Sequence, residues 1–186
     1  MKHELWYSVV VRDRQGKVVS RERRRAKSFL KAWNQVIYAQ MFQVNVSIKD
    51  TDGADRSVDE DTNNLRIAVS GATTAYGMRV GTGDTAVAID DYALEAPIAH
   101  GTGAGQMSHA GCTVSNYTVA APSCSFIISR TFTNNSGDSI TVKEAGLYMR
   151  MDSSYYGCAA RDVFSSPQAV PNGGSITINW TLKVTV

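Results

Sequence analysis

The twelve residues from 175 to 186 constrain the fold of this chain more than any other stretch. Polar and apolar side chains alternate through all twelve positions, in the order SITINWTLKVTV. Successive side chains of a β-strand point to opposite faces, so this segment predicts a long strand with one buried face and one solvated face. Pro171 to Gly174, directly before it, predict the turn from which the strand starts. Such a strand must pair with other strands to bury its apolar side.

Similar alternation recurs along the chain and predicts an all-β fold. The alternation breaks at Glu144-Ala145-Gly146, which predicts a β-bulge at Gly146, and residues 134–138 predict a hairpin loop. Together the strands predict an antiparallel β-sandwich of jelly-roll or immunoglobulin-like type. The further predicted strands cover residues 5–12, 17–25, 44–48, 65–69, 78–80, 112–119, 123–133 and 140–151.

One segment has helical periodicity instead. Ser28 is a predicted N-cap for an amphipathic helix from Phe29 to about Gln43. We therefore divide the chain into a basic hairpin and helix attachment at residues 1–43 and a β-sandwich at residues 44–186. The predicted apolar stripe of the helix consists of Phe29, Leu30, Trp33, Val36, Ile37, Gln40 and Met41.

Residues 81–111 interrupt the sandwich with a Gly-rich excursion that has little regular pattern. Loops of this length inside a compact domain are usually functional or ordered by a partner. We therefore expect residues 81–111 to form an interface.

Charge is distributed unevenly along the chain. Residues 1–31 carry ten Lys and Arg against three Asp and Glu, a net charge of +7, whereas the other 155 residues carry nine against fourteen, a net charge of −5. A basic front on an acidic body predicts head-to-tail contact between copies, or docking on an acidic partner. Contact with nucleic acid is an open alternative, because the same side chains bind phosphates. The predicted docking patch consists of Arg21, Arg23, Arg24, Arg25 and Lys27.

Two segments resemble metal or cofactor motifs, but each lacks residues or flanking elements that the complete motif requires. Asp50, Asp52 and Asp55 resemble a calcium loop, but Gly53 is its fourth residue rather than its sixth, and strands rather than helices flank it. The Gly-rich run at 100–105 lacks the Gly-Lys-Ser/Thr that completes a phosphate-binding loop. We therefore predict a hairpin turn at 50–55, no cofactor and no metal.

The three cysteines form no Cys-x-x-Cys pair and so give no zinc signature. An odd number also argues against a disulfide framework of the secreted type. We expect buried free thiols, which behave as small apolar groups. Pairing of Cys112 with Cys124 across a hairpin stays open.

Catalytic residues are also sparse. Nucleophilic catalysis needs a Ser or Cys beside a His and an acid, yet the chain has three histidines and no Gly-x-Ser-x-Gly motif. Asp90, Asp91 and Glu95 could form a glycosidase pair, but carboxylates in Gly-rich loops are usually solvated. We therefore predict that the chain is not an enzyme, with polysaccharide cleavage by these carboxylates as a third class of function.

Three segments resemble structural proteins of tailed bacteriophages. VGTGDTA at 80–86, followed by DDYALEAPI at 90–98, is similar to their G-T-G-T-T…D-Y-x-L-E-x-P-I segment. VKEAGLY at 142–148 resembles their I-x-E-x-G-L-(Y/F). RDVF at 161–164, with VPNGGSI at 170–176, resembles their R-D-V…P-x-G ending. The resemblance covers about the last 105 residues.

This resemblance implies a non-enzymatic virion component of a tailed phage or phage-like particle, and it carries over no catalytic or ligand-binding residue. The leading hypothesis is a capsid decoration or minor capsid protein that assembles symmetrically through its basic N-terminal part and Gly-rich loop. A tail or head-tail junction component is the alternative. Expected partners are copies of the chain and other virion proteins, such as the major capsid or tail proteins, with contact to viral DNA left open.

The expected location is the virion, after assembly in the host cytoplasm without membrane contact. The N-terminus lacks a signal-peptide pattern, and no apolar run approaches the roughly 20 residues that span a bilayer.

A second class of function is a β-sandwich module that binds glycans or a host surface. Aromatic side chains exposed on a loop face would favour it, since such rings supply large contact surfaces with a polar tip. The candidates are Trp6, Tyr92, Tyr117, Tyr155 and Tyr156.

Overall fold

Twelve strands and one helix make up the described part of the chain, which comprises residues 2–26 and 29–186 of a computed structural model, with the backbone alone described at residue 2. The helix α1 spans Lys31–Phe42. The antiparallel strands confirm the predicted all-β class with one helix. The strands are β1 (Lys2–Arg12), β2 (Val18–Arg25), β3 (Val46–Lys49), β4 (Asp55–Val58), β5 (Gly77–Gly81), β6 (Ser108–His109), β7 (Thr113–Val114), β8 (Thr118–Ala120), β9 (Ser123–Thr133), β10 (Ile140–Arg150), β11 (Tyr156–Val170) and β12 (Ser175–Thr185).

The C-terminal strand β12 lies inside a seven-stranded antiparallel sheet. Its strand order is β2-β1-β12-β9-β6, and the short strands β7 and β8 also pair with β9. β12 pairs with β1 along the whole of both strands, and on its other side with β9. The predicted N-terminal hairpin is thus part of the main sheet. The division of the chain after residue 43, which the sequence predicts, instead assigns β1 to the attachment and β12 to the sandwich.

The inner face of this sheet supplies one half of the core. Ile176, Ile178 and Trp180 are fully buried, as the alternation of the C-terminal segment predicted. Full burial of one such apolar side chain contributes about 1.5–3 kcal/mol. The neighbouring strands add the same kind of residue to this face: Leu5, Tyr7, Val9, Val11, Ile128 and Phe132.

A second sheet supplies the other half of the core. Its three antiparallel strands have the order β11-β10-β5. Ala145, Leu147 and Met149 of β10 belong to the same buried cluster as Trp180 of the first sheet. The two sheets therefore pack face to face and confirm the predicted sandwich.

The strand β10 is buried on both faces from Glu144 to Met149, and its pairing with β11 changes register just before this stretch. The register shifts between Val142 and Glu144, where β11 contributes extra residues. After this shift Ala145 faces the core and Glu144 faces the outer side of the second sheet. The bulge predicted at Gly146 is wrong in position, since Gly146 pairs in regular register with Arg161.

Three other predicted elements differ from the structure. Residues 134–138 connect β9 to β10 in the other sheet, so they are a connection between sheets and not a hairpin loop. Residues 65–69 form no strand: Leu65 has a φ of 65°, which interrupts an extended backbone, and Val69 forms only an isolated bridge with Cys112. The strand predicted at 112–119 is divided into the short strands β7 and β8.

The helix begins two residues later than predicted. Phe29 forms an isolated bridge with Ala160 of β11, so the backbone is still extended there. The N-cap position is Leu30, which makes no side-chain cap, and the predicted cap Ser28 lies outside the described residues. Among the described residues, no helix is both long and apolar enough to cross a membrane.

The buried face of α1 is narrower than the predicted stripe. Ala32, Val36 and Ala39 are buried, and their spacing follows one side of the helix. Met41, predicted to lie on this stripe, is 72% exposed. The stripe prediction is therefore wrong at its C-terminal end.

We expect the two faces of β12 to differ sharply in their sensitivity to truncation. Ile178→Ala removes a fully buried side chain and should lower the free energy of unfolding by about 2–5 kcal/mol. Thr181→Ala, on the opposite face of the same strand, should change it by about 0.5 kcal/mol or less. Urea denaturation followed by circular dichroism measures both values. Similar losses for the two variants would contradict the assigned faces.

Candidate functional site

The predicted docking patch lies on β2, which is an edge strand of the seven-stranded sheet. Arg21, Arg23 and Arg25 occupy alternate positions and pair in register with Val10, Ser8 and Trp6 on the outer face. All three are exposed. We call this row of three arginines the basic edge.

The remaining patch residues lie elsewhere. Arg24 points to the opposite side of β2, where it lines a groove together with Tyr7 and Asp162. Lys27 lies outside the described residues. The structure thus brings together three of the five predicted residues.

The arginines of the basic edge are only weakly paired. Arg25 Nη2 lies 3.5 Å from Glu4 Oε1, and the Arg23 guanidinium lies 5.5 Å from the ring centroid of Trp6. Exposed pairs of this kind contribute at most about 1 kcal/mol each. Charged side chains on an edge strand also discourage unspecific pairing with other strands. The basic edge is therefore free to meet an acidic partner.

An exposed apolar surface lies at the C-terminal end of α1. It consists of Tyr38, Met41, Phe42 and Val44, which we call the helix-end patch. The rings of Tyr38 and Phe42 stack at 4.8 Å, so the patch is ordered by its own residues. A contiguous apolar patch rimmed by polar residues is typical of an interaction surface.

Acidic residues border the helix-end patch. Asp59 and Glu60 are exposed, and Asp61 follows them. The Gln40 side chain of α1 accepts hydrogen bonds from the Asp61 amide at 3.4 Å and from Asn64 at 2.9 Å. These bonds hold residues 59–61, the acidic loop, against the helix.

A buried ion pair on the outer face of the second sheet anchors the excursion at 81–111. Arg161 Nε donates to Glu144 Oε2 at 2.8 Å, and both side chains are almost completely buried. Arg161 also reaches Asp91 at 2.8 Å and the Thr85 carbonyl at 3.1 Å. Asp91 and Thr85 belong to the loop that covers the sheet, so each of these two bonds fixes one point of that loop.

Glu144 binds the loop through its backbone. Its Oε1 accepts from the amides of Gly83 at 3.2 Å and Ala96 at 2.9 Å, and its Oε2 accepts from the amide of Glu95 at 3.2 Å. A buried carboxylate needs this number of donors to replace its lost hydration. The Tyr148 hydroxyl, on the same face, accepts from the Leu94 amide at 2.8 Å. We call these contacts together the loop clamp.

Glycines let the loop approach the clamp. A Cβ at Gly81 would lie 2.7 Å from the Ala96 carbonyl oxygen and still closer to Glu144 Oε1. A Cβ at Gly83 would lie 2.5 Å from that of Glu95. These glycines of the excursion thus permit close packing and do not mark a flexible segment.

The carboxylates considered as a glycosidase pair take part in this anchoring. Asp91 is bonded to Arg161, and Glu95 accepts from the Thr85 hydroxyl at 2.7 Å and amide at 2.8 Å. The hydrogen bonds from Thr85 hold the pKa of Glu95 below its usual value. A general acid needs the opposite shift. Asp90 is exposed and contributes to neither contact.

Sequence reasoning gave no role to Glu144 and Arg161. A signal was present, because each is a charged residue inside an otherwise buried stretch of strand. Buried charges are almost always paired, so the two strands predict a polar contact but not its partners in the loop.

The aspartates of the β3–β4 turn form a hairpin turn, as predicted. Asp50 Oδ1 accepts from the amides of Asp52 at 2.9 Å and Ala54 at 3.0 Å, while Oδ2 accepts from Arg56 Nε at 2.6 Å. Burial opposes ionisation of Asp50, but these hydrogen bonds outweigh it and lower its pKa. Within the described ranges, no three His, Cys, Asp or Glu side chains are grouped to hold a metal ion.

All three cysteines are free, so Cys112 and Cys124 are not bonded to each other. Cys112 and Cys158 are buried as predicted. Cys124 is exposed, so the prediction of a buried thiol is wrong at this position. Burial raises the pKa of Cys112 and Cys158, which leaves both thiols in their unreactive protonated form.

Two histidines meet at the end of the excursion. The rings of His100 and His109 contact edge to face at 5.3 Å, and His100 Nδ1 accepts from the His109 amide at 3.0 Å. Burial, together with the charge of Arg130, lowers the pKa of His109 to about 3. His109 is therefore a neutral core residue.

A cleft of about 520 Å³ opens on the outer face of the second sheet, beside the loop clamp. Its walls come from the β3–β4 turn and from residues 92–97 of the excursion, and its floor contains Arg79 and Tyr148. Tyr92 and Tyr156, two of the aromatic residues singled out in the sequence, lie at its rim. We call it the tyrosine cleft.

Comparisons of the chain with protein-family models, with curated proteins and with solved structures gave no match. The resemblance to tailed-phage structural proteins therefore stays a prediction.

Breaking the loop clamp should destabilise the protein far more than breaking an exposed pair beside it. Glu144→Gln leaves Arg161 buried without its main counter-charge and should lower the free energy of unfolding by about 3–5 kcal/mol. Lys143→Gln breaks the exposed pair with Asp84 and should change it by less than about 1 kcal/mol. Chemical denaturation of both variants provides the comparison.

A double-mutant cycle isolates the pair itself. Arg161→Met combined with Glu144→Gln should lose less stability than the sum of the two single variants, by about 0.5–3 kcal/mol. Strictly additive losses would show that the two side chains do not act on each other.

His109 should make the protein sensitive to acid. The unfolded histidine binds a proton below about pH 6.5, while the folded one does so only near pH 3, so stability is lost as pH falls from the first value towards the second. His109→Phe should therefore lose less stability than the wild type between about pH 7 and about pH 4.5. His3→Phe, at an exposed position, is the matched control and should behave as the wild type does. Urea denaturation at the two pH values tests this, and equal acid sensitivity in the His109 variant would refute it.

Proposed function

We propose that this chain is a non-enzymatic structural protein of a tailed-phage or phage-like particle, and that it serves as a capsid decoration or minor capsid protein. The loop clamp is the observation that carries this proposal. The segments at 80–98, 142–148 and 161–164, which carry the resemblance to phage structural proteins, lie far apart in sequence and meet in this one cluster. Their shared role is to fasten a loop to a sheet, which is a structural and not a catalytic task.

Two exposed surfaces of opposite character support assembly. The basic edge carries three exposed arginines, and the helix-end patch is apolar with the acidic loop beside it. Complementary charge directs association and suppresses wrong partners, while apolar side chains supply the contact energy. We therefore propose that the basic edge of one copy meets the helix-end patch and acidic loop of the next.

This contact joins two different surfaces and is heterologous. A heterologous contact closes into a ring when its rotation permits and otherwise continues as a filament or lattice. Many weak contacts on such an array become strong together through multivalency. In this proposal the major capsid or tail proteins provide the array, and placement at the tail or head-tail junction is the alternative.

Charge reversal on both surfaces tests the contact. Arg23→Glu with Arg25→Glu should abolish assembly, as should Asp59→Lys with Glu60→Lys, because each pair places like charges opposite one another. All four substitutions in one chain should restore assembly. Arg14→Glu with Lys17→Glu, in the β1–β2 turn, is the control with the same charge change. Analytical ultracentrifugation over a range of concentration and salt gives the readout.

Two outcomes would contradict the proposal. One is a wild-type chain that stays monomeric at every concentration and is absent from purified particles in electron microscopy. The other is a four-residue variant that fails to recover assembly although it is folded. If the basic edge binds viral DNA instead, its two-residue variant should lose DNA binding with a reduced salt dependence, and reversal of the acidic loop should restore nothing.

A further inference from the structure

The tyrosine cleft takes no part in the proposed assembly contact. It lies between the turn at 51–53 and residues 92–97, whereas the basic edge and the helix-end patch lie on β2 and at the end of α1. Its volume of about 520 Å³ is within the range of small-molecule sites. What it could bind follows from its charge and its aromatic rings.

The floor of the cleft contains a cation without a counter-ion. Arg79 forms no ion pair with any carboxylate of the described residues. Its Nη1 donates to the Thr74 carbonyl, and its Nη2 donates to the Ile98 carbonyl at 3.4 Å. Three of its five N–H groups have no acceptor among the described residues, and Nε is one of these. Burial lowers the pKa of Arg79, which reflects this uncompensated charge.

Aromatic rings line the same cleft as this cation. The guanidinium of Arg79 lies 5.6 Å from the ring centroid of Tyr148, which fixes its position over the ring. Tyr156 stacks on Tyr76 with an interplanar angle of 3°, so its ring is held at the rim as a rigid flat surface. Such a platform contacts the apolar face of a ligand ring while the hydroxyl at its tip forms hydrogen bonds.

Tyr92 closes the opposite rim. Its ring packs over Gly53, where a Cβ would lie 3.3 Å from the ring carbons. Gly53 has a φ of 84°, so the turn both requires glycine and leaves room for the tyrosine. Thr51 and the exposed Asp52 of the same turn add groups that can bond ligand hydroxyls.

We propose that the tyrosine cleft binds an acidic saccharide, with the sugar carboxylate on Arg79 and the ring between Tyr92 and Tyr156. A guanidinium matches a planar carboxylate through two parallel hydrogen bonds. The tyrosine rings contact the sugar ring, and Asp52 accepts hydrogen bonds from its hydroxyls. Asp52 also repels a doubly charged group, which favours a carboxylate over a phosphate in the same place.

Titration of the full chain with defined saccharides tests this site. The acidic probes are sialyllactose and tetragalacturonate, which present a carboxylate on different sugars, and the neutral probes are lactose and maltotetraose. Calorimetry and amide shifts in NMR report affinity and position. We expect binding of at least one acidic probe, absence of binding by the neutral probes, and shifts at residues 51–53, 79 and 92–97.

Substitutions within the cleft assign the roles. Arg79→Gln should weaken binding of the acidic probe by at least about tenfold, because it removes a charge-assisted contact. Arg66→Gln, at an exposed arginine outside the cleft lining, is the matched control and should bind as the wild type does. Tyr92→Ala should weaken binding about fivefold or more through loss of the ring contact.

The exposed position of Asp52 provides a test that does not depend on stability. Asp52→Asn keeps a hydrogen-bond acceptor and removes a negative charge, so it should strengthen binding of the acidic probe by roughly twofold to fivefold. The proposal is overturned if neither acidic probe binds, if acidic and neutral probes bind equally, or if Arg79→Gln binds like the wild type. It is also overturned if acetate competes as strongly as the saccharide, since the site would then recognise a bare anion. None of these variants alters the basic edge, the acidic loop or the helix-end patch, so assembly and saccharide binding can fail independently.

Discussion

The ion pair between Glu144 and Arg161 determines the arrangement of the outer side of the second sheet. Both side chains are buried, and each loses hydration that only a full set of hydrogen bonds can replace. The loop supplies these bonds from three backbone amides, one carbonyl and the carboxylate of Asp91. The position of residues 83–97 is therefore a condition for burying the pair, and the tyrosine cleft exists because that position leaves a gap beside the β3–β4 turn.

A register change in β10 makes this arrangement possible. A strand with strict alternation would place Glu144 on the same side as Val142, inside the core. β11 has extra residues opposite the segment from Val142 to Glu144, and at this point the alternation of β10 changes phase: apolar residues continue to face the core while Glu144 faces outward. One irregularity in pairing thus converts the back of a sandwich sheet into a polar surface that holds a loop. Directional hydrogen bonds determine which backbone amides of the loop contact Glu144, whereas an apolar contact would determine only how much surface is buried.

The elements that the sequence predicts well are those whose pattern is local. Ser175–Thr185 alternates over its full length and Ser123–Thr133 does so except at Ile127 and Arg130, and their pairing in one sheet buries the face that the alternation marks. Predictions failed where the outcome depends on distant contacts. Nothing within residues 134–138 indicates that the chain changes sheets there, and the exposure of Met41 depends on what packs against α1.

The candidate sites follow the same division. The predicted docking patch was visible because its charged residues lie close together in sequence, and only their distribution over the two faces of β2 required the structure. The tyrosine cleft could not be predicted, since its lining comes from four separate stretches of chain, at 51–52, 74–79, 92–97 and 148–156. Individual tyrosines were noted in the sequence, but Arg79, the residue that gives the cleft its charge, had no feature that distinguished it from a surface arginine.

The pairing of β1 with β12 also bears on how this protein forms. Leu5 lies opposite Leu182, so the sheet requires contact between residues separated by almost the whole described chain. Closing so large a loop carries an entropy cost that must be met before the contact gives any stabilisation, and such topologies fold slowly. During synthesis β1 has no completed neighbour on that side until β12 leaves the ribosome. The nascent chain therefore exposes the apolar face of the β1–β2 hairpin until β12 has been synthesised, which makes chaperone binding or the rate of elongation a factor in its yield.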